Sequence, residues 1–242
     1  MEQPPTIFDG FYEIVGELGR GTTGTVYEAR PKALNRRVAL KVPALSPDAE
    51  RQAKAQRFLR ECQVLARLTS GPGCRIPRLL VVAECPEGRP YSVRELVEGS
   101  TLELRVAEGS IDLRAGLAVV IEVVRVVEWV HGQGFAHRNL SPENVLVGRD
   151  GSVWLIGFSR VGLLAGSHVT SAGAGTPAEV DARNLQDLVR WLFVALRQPL
   201  PAGLESAAAG SFVSAGAVGA AVASHLRSLP ADQVAAADGP RD

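Results

Sequence analysis

The chain has 242 residues, 46% of them apolar and 21% charged, and its 26 basic and 26 acidic side chains cancel. That length suffices for one large domain or two intimate lobes with a substantial core. The zero net charge excludes a global electrostatic pull toward nucleic acid or an acidic membrane surface. Cys62, Cys74 and Cys85 are odd in number and form no C-x-x-C pair, which argues against a disulfide framework or a zinc site and for a reducing cytoplasm.

Residues 1–10 read as an N-terminal extension without the basic-then-apolar pattern of a signal peptide. From residue 11 the chain has strand character. "FYEIVGELG" and "TGTVYEAR" flank a glycine-rich turn, and "RRVALKVP" follows. Residues 48–68 are predicted as a helix with Phe58, Cys62 and Leu65 on one face. "PRLLVVAEC" and "RPYSVRELV" return to strand character around the turn "PEGRP". Residues 11–97 are thus expected to form a five-stranded antiparallel sheet with one helix.

Residues 98–228 are mainly helical in pattern. A short helix near 101–108 precedes a valine-rich one at 113–131, whose Glu122, Arg125 and Glu128 make a single polar stripe. That stripe marks a core helix, not a membrane span. The octet "HRNLSPEN" at 137–144 follows, then two short strands joined by the hairpin signal Asp150-Gly151, and an irregular segment at 159–177. A helix over "NLQDLVRWLFVAL", an alanine- and glycine-rich stretch able to form one or two weak helices, and a frayed tail at 229–242 complete the chain.

Gly19, Gly21 and Gly24 form a G-x-G-x-x-G-x-V frame ending at Val26. Glycine there lets backbone N–H groups approach phosphates, although a hairpin turn would use the same residues. Lys41 is one of only three lysines and sits in an apolar strand, where a cation is costly unless paired. Glu61, three residues after Phe58 and four before Leu65, is its natural partner. The alternative places Lys41 at a solvated strand end and Glu61 at a helix border.

The order is what carries most information: glycine loop, "VALK", a helical glutamate, "HRNLSPEN", then "LIGFS". These landmarks resemble those of the bacterial eukaryotic-type (Hanks-type) Ser/Thr protein kinases over roughly residues 11–228. The resemblance implies a two-lobed α+β fold with a shortened C-terminal end and an ATP cleft near residues 94–99. It implies phosphates under Gly19, Gly21 and Gly24, adenine against Leu18, Val26, Ala39 and Leu146, and backbone contacts from Glu95 and Val97. Lys41, held by Glu61, would take the α- and β-phosphates, and Asn144 would be the single remaining metal ligand. His137 and Phe158 would pack as in the family, and Asn184 would stand where a helix aspartate braces the catalytic loop. Asp181, Asp187 and Glu179 read as helix-start and surface groups, and Asp150 as a turn residue.

Three departures fall on the chemistry. The proton-accepting aspartate is Asn139, the phosphoryl-facing lysine is Ser141, and the metal-binding aspartate is Gly157. An amide cannot take the substrate proton, and general-base help is worth about 10²–10⁴-fold. Arg94 stands at the gatekeeper position, either turned in to compete with Lys41 for Glu61 or turned out to solvent. "GTPAEV" looks like a clipped close of the activation segment, in which Thr170, Ser171 and Thr176 are candidate phosphorylation sites. The expectation is a cytoplasmic pseudokinase that binds ATP or another nucleotide with weak or absent magnesium. It would signal to a protein partner, such as an active kinase, and bind no nucleic acid. An active kinase with a non-standard site, or an interaction module that binds no nucleotide, are the alternatives.

Overall fold

The computed structural model describes residues 6–34, 36–44, 51–69, 75–86, 88–164, 175–206 and 214–230. The chain divides into two compact units, Met1–Glu98 and Gly99–Asp242.

The N-terminal unit is an antiparallel sheet of β1 (Thr6–Phe8), β2 (Tyr12–Gly21), β3 (Gly24–Pro31), β4 (Val38–Pro43), β5 (Leu79–Glu84) and β6 (Pro90–Glu95), with α1 (Arg51–Leu68) against it. Strand order is β1-β2-β3-β4-β6-β5, so the sheet has six strands and not the expected five. The added strand lies in the segment read as an extension. Its hold is non-local: Phe8 meets the edge of the Tyr91 ring at 5.1 Å, and Tyr91 Oη donates to Asp9 Oδ2 at 2.6 Å. Alternation along β4 sends Val38, Leu40 and Val42 into a core with Tyr12, Tyr91 and Val93. Each such side chain contributes roughly 1.5–3 kcal/mol by leaving water. The opposite face receives α1 through Phe58, Cys62, Leu65 and Leu68, all buried.

The C-terminal unit contains α2 (Leu102–Ala107), α3 (Leu113–Gly132), α4 (Pro177–Ala195), α5 (Ala202–Ser206) and α6 (Ala215–Ser228). Strand β7 (Gly99–Thr101) pairs with β9 (Val145–Gly148), which pairs with β10 (Val153–Leu155), and β8 (Phe135–Ala136) pairs with β11 (Gly162–Leu163). Asp150 sits in the β9–β10 turn, where Oδ1 accepts from Ser152 N at 3.0 Å and Ser152 Oγ at 2.6 Å. Helix α6 forms from a weak sequence because its small residues let it press on α3: a Cβ at Gly219 would stand 2.7 Å from Val124 Cγ1. Among the described residues no helix is long and apolar enough to cross a membrane.

Helix α4 begins at Pro177, well before the predicted start at Asn184. Thr176 is its N-cap in a full capping box with Glu179, and proline at the first helical position completes the start signal. "GTPAEV" therefore initiates a helix, and Asp181 lies inside it. Thr170 and Ser171 lie outside the described residues, as does most of the predicted tail.

Candidate functional site

In the N-terminal unit, register decides which side chains share a face. Val26 stands opposite Lys41, Lys41 opposite Ser92, and Ala39 opposite Arg94. Opposed residues of antiparallel strands point the same way, so Val26, Ala39, Lys41 and Arg94 share the face that α1 meets. Glu95 ends β6 with its N–H donated to the Arg78 carbonyl at 2.9 Å, and Val97 follows outside any strand.

The loop glycines differ in kind. A Cβ on Gly24, whose φ is +143°, would lie 2.3 Å from the Val42 carbonyl oxygen, so strand packing demands glycine there. A Cβ on Gly19 or Gly21 meets nothing within 4 Å. Both lie in β2, paired with Val26 and Gly24 of β3, and side-chain packing gives no reason for glycine at either. Gly24→Ala is accordingly expected to cost about 1–3 kcal/mol through backbone strain, whereas Gly19→Ala and Gly21→Ala leave the thermal midpoint nearly unchanged. Thermal unfolding of the three variants checks this.

Lys41 Nζ donates to both Glu61 oxygens, at 2.9 and 2.8 Å, and Arg94 Nη2 donates to Oε1 at 2.8 Å. Arg94 thus turns inward and shares Glu61 with Lys41; neither displaces the other. The side chains of Lys41, Glu61 and Arg94 are 7%, 4% and 14% exposed. Burial pulls the Glu61 carboxyl upward, but the charges of Arg94 and Lys41 outweigh it and hold the group below its ordinary value. Burial pushes the Lys41 ammonium down despite Glu61, and the Arg94 charge adds to the push. One buried carboxylate thus faces two cations.

In the C-terminal unit the octet is built around a buried carboxylate. Asp181 is 0% exposed. Its Oδ2 accepts from His137 N and His131 Nε2, both at 2.8 Å, and its Oδ1 from Arg138 N at 2.6 Å. These bonds hold Arg138 at φ +62°, a left-handed conformation that side chains disfavour. His137 donates from Nε2 to the Ile156 carbonyl and accepts from Asn139 N at Nδ1, which defines the neutral Nε2–H tautomer. Its ring meets Phe158 at 4.4 Å, edge to face.

The two octet amides donate locally, mostly to backbone carbonyls. Asn139 Nδ2 donates to the Gly157 carbonyl at 3.3 Å, and Asn144 Nδ2 donates to Asn139 O and Ser141 Oγ, each at 2.9 Å. Gly157 has φ +81°, and a Cβ there would lie 2.1 Å from Asn144 Oδ1. The Asn144 amide fills the space that a side chain at 157 would need. Gly157→Asp should therefore cost about 2 kcal/mol, from left-handed strain and the displaced amide; chemical denaturation measures it.

A family model described as Protein kinase domain matches residues 12–178. The chain belongs to this protein kinase family. Among its relatives, the serine/threonine-protein kinase PknL of Mycobacterium bovis is 34% identical over 188 residues, which are 75% of this chain and 45% of PknL. PknK of Mycobacterium tuberculosis is 33% identical over 72% of this chain and 16% of its own length. The DNA damage-responsive kinase RqkA of Deinococcus radiodurans is 37% identical over 72% of this chain and 26% of its own. The chain spans less than half the length of each of these kinases.

Against the kinase pattern, the brace of the catalytic loop is Asp181 and not Asn184, whose buried Oδ1 has no hydrogen-bond partner. The reason is stoichiometric: three donors converge on two carboxylate oxygens, and an amide offers only one acceptor oxygen. Helical periodicity carried the signal, because Asp181 precedes Leu185, Leu188 and Leu192 on the buried face of α4. Kinases in general use ATP with magnesium. Here positions 139, 141, 144 and 157 hold two amides, a hydroxyl and a glycine, with both Asn144 N–H groups engaged locally. That donor set lacks a carboxylate and does not fit a divalent cation. Half-buried Leu146 lies in β9, opposite Trp154 and Thr101.

Proposed function

We propose that this protein kinase-family chain is a pseudokinase: a domain that binds ATP or another nucleotide and acts as an allosteric or scaffolding module in signalling. The observation that carries the reading is the contrast between the units. In one, Lys41 and Glu61 are paired, and Gly19 and Gly21 put no side chain into the open space beside the β2–β3 hairpin. In the other, the catalytic positions hold a hydroxyl and amides whose N–H groups are engaged by Gly157 O, Asn139 O and Ser141 Oγ. Lys41 and the loop N–H groups are groups that bind phosphates. Asn139 has no basic site for a hydroxyl proton, and Gly157 has no carboxylate to gather positive charge beside the phosphoryl group. What remains is binding, and a bound nucleotide acts by favouring one conformation over another. A protein partner, such as an active kinase, reads that conformation.

The test is thermal unfolding with millimolar ATP, once in EDTA and once in excess magnesium. Ligand at about 100 times its dissociation constant adds roughly 2.7 kcal/mol. Shifts of similar size in both buffers are expected. No shift in either buffer would overturn nucleotide binding and leave a protein–protein module.

The relatives' names favour a second reading, an active Ser/Thr kinase with a non-standard site. It predicts a thermal shift only with magnesium, and phosphate transfer that disappears in Lys41→Ala.

A further inference from the structure

Glu61 is a buried carboxylate with two cations on it, and they come from different strands. Lys41 reaches it from β4, spanning both oxygens, while Arg94 reaches Oε1 from β6. With a single counter-ion, drawing that cation away would leave a bare carboxylate that is only 4% exposed. A buried, unpaired anion is costly enough to pull its helix off the sheet. With two counter-ions the loss of one leaves an ordinary neutral pair.

We propose that Arg94 is a positioning residue, a permanent second counter-ion that keeps α1 docked on the sheet whether Lys41 stays on Glu61 or is drawn to a ligand anion. Arginine suits this task because its guanidinium stays charged and its planar fork holds a carboxylate oxygen in a fixed direction. The triad carries one more positive charge than negative, so one cation can leave without baring the carboxylate, and the proposal gives that part to Lys41. The consequence for signalling rests on the nucleotide-binding reading above: occupancy would then be transmitted by something other than displacement of α1. The ion-pair arrangement itself does not depend on that reading.

Cys62 provides the readout. It follows Glu61 on α1, is 3% exposed, and packs toward the sheet, so its thiol meets reagent only when the helix lifts. The experiment is iodoacetamide labelling of the full chain without nucleotide, quantified at the Cys62 peptide by mass spectrometry. Labelling in a native protein follows the population of the open form. Lys41→Met should label within about twofold of wild type, and the double variant Lys41→Met/Arg94→Met at least about tenfold faster. Labelling of Lys41→Met alone at the accelerated rate would overturn the proposal, because Arg94 would then not hold the helix. So would a double variant as slow as wild type, because the charges would then not dock it. If the double variant is unfolded by circular dichroism, the Lys41→Met rate decides alone: near wild type supports Arg94 as the second counter-ion, and tenfold acceleration rejects it. Because no nucleotide is present, a protein that binds none can still pass or fail.

Discussion

Glu61→Gln is expected to lower the folding free energy by about 3–5 kcal/mol, the range for removing one partner from a buried ionic cluster. The substitution leaves the largely buried Lys41 and Arg94 without their shared carboxylate. Lys41→Met should behave quite differently. It removes the surplus charge, leaves a balanced Arg94–Glu61 pair, and should change stability by no more than about 1 kcal/mol. Urea denaturation with an unchanged slope separates the two cases, and equal losses would contradict the two-cations-on-one-carboxylate geometry. The pH dependence follows from the depressed Glu61 ionisation. A carboxyl whose folded value lies below its unfolded one contributes fully above the unfolded value and loses that contribution as pH falls through the folded value. The stability gap between wild type and Glu61→Gln should therefore be full at neutral pH and close in acid.

Asp181→Ala should be of similar severity, about 3–5 kcal/mol, because two backbone N–H groups and a histidine lose a shared charged acceptor at once. The N–H groups of His137 and Arg138 then become unsatisfied, and Arg138 loses the bonds that hold its left-handed backbone. Hydrogen exchange at those two amides is the direct readout: both should lose protection in the variant. Asp181→Asn should recover only part of the loss, since its NH₂ group must face a donor. Asn184→Ala is the control. Its amide oxygen is already without a partner, so that substitution should cost less than about 1 kcal/mol.

Local patterns carried much of the fold into view. The glycine frame, the strand holding Lys41 and the helix face of Phe58, Cys62 and Leu65 are all short-range signals. The residues alone left the pairing of Lys41 with Glu61 open; the order of the kinase landmarks implied it, and the two side chains are bonded. What stayed hidden was set by contacts between distant segments. Strand β1 is three residues long and is held by Tyr91, more than eighty positions away. The direction of Arg94 depended on where Glu61 lies in space, which no spacing specifies. Asp181 was legible in principle from the leucines that follow it, but an early capping box moved the helix start and disguised a buried brace as a surface charge.

The fit of Asn144 against Gly157 ties position 157 to the packing of the octet. A side chain at position 157 must displace the Asn144 amide, whose oxygen lies 2.1 Å from where the first side-chain carbon would stand. Moving Asn144 first breaks its bonds to Asn139 and Ser141, which loosens the loop before anything is gained. Adding a side chain at 157 alone therefore runs uphill in stability. Substitutions at 157 and 144 should be non-additive, because each changes the space the other occupies.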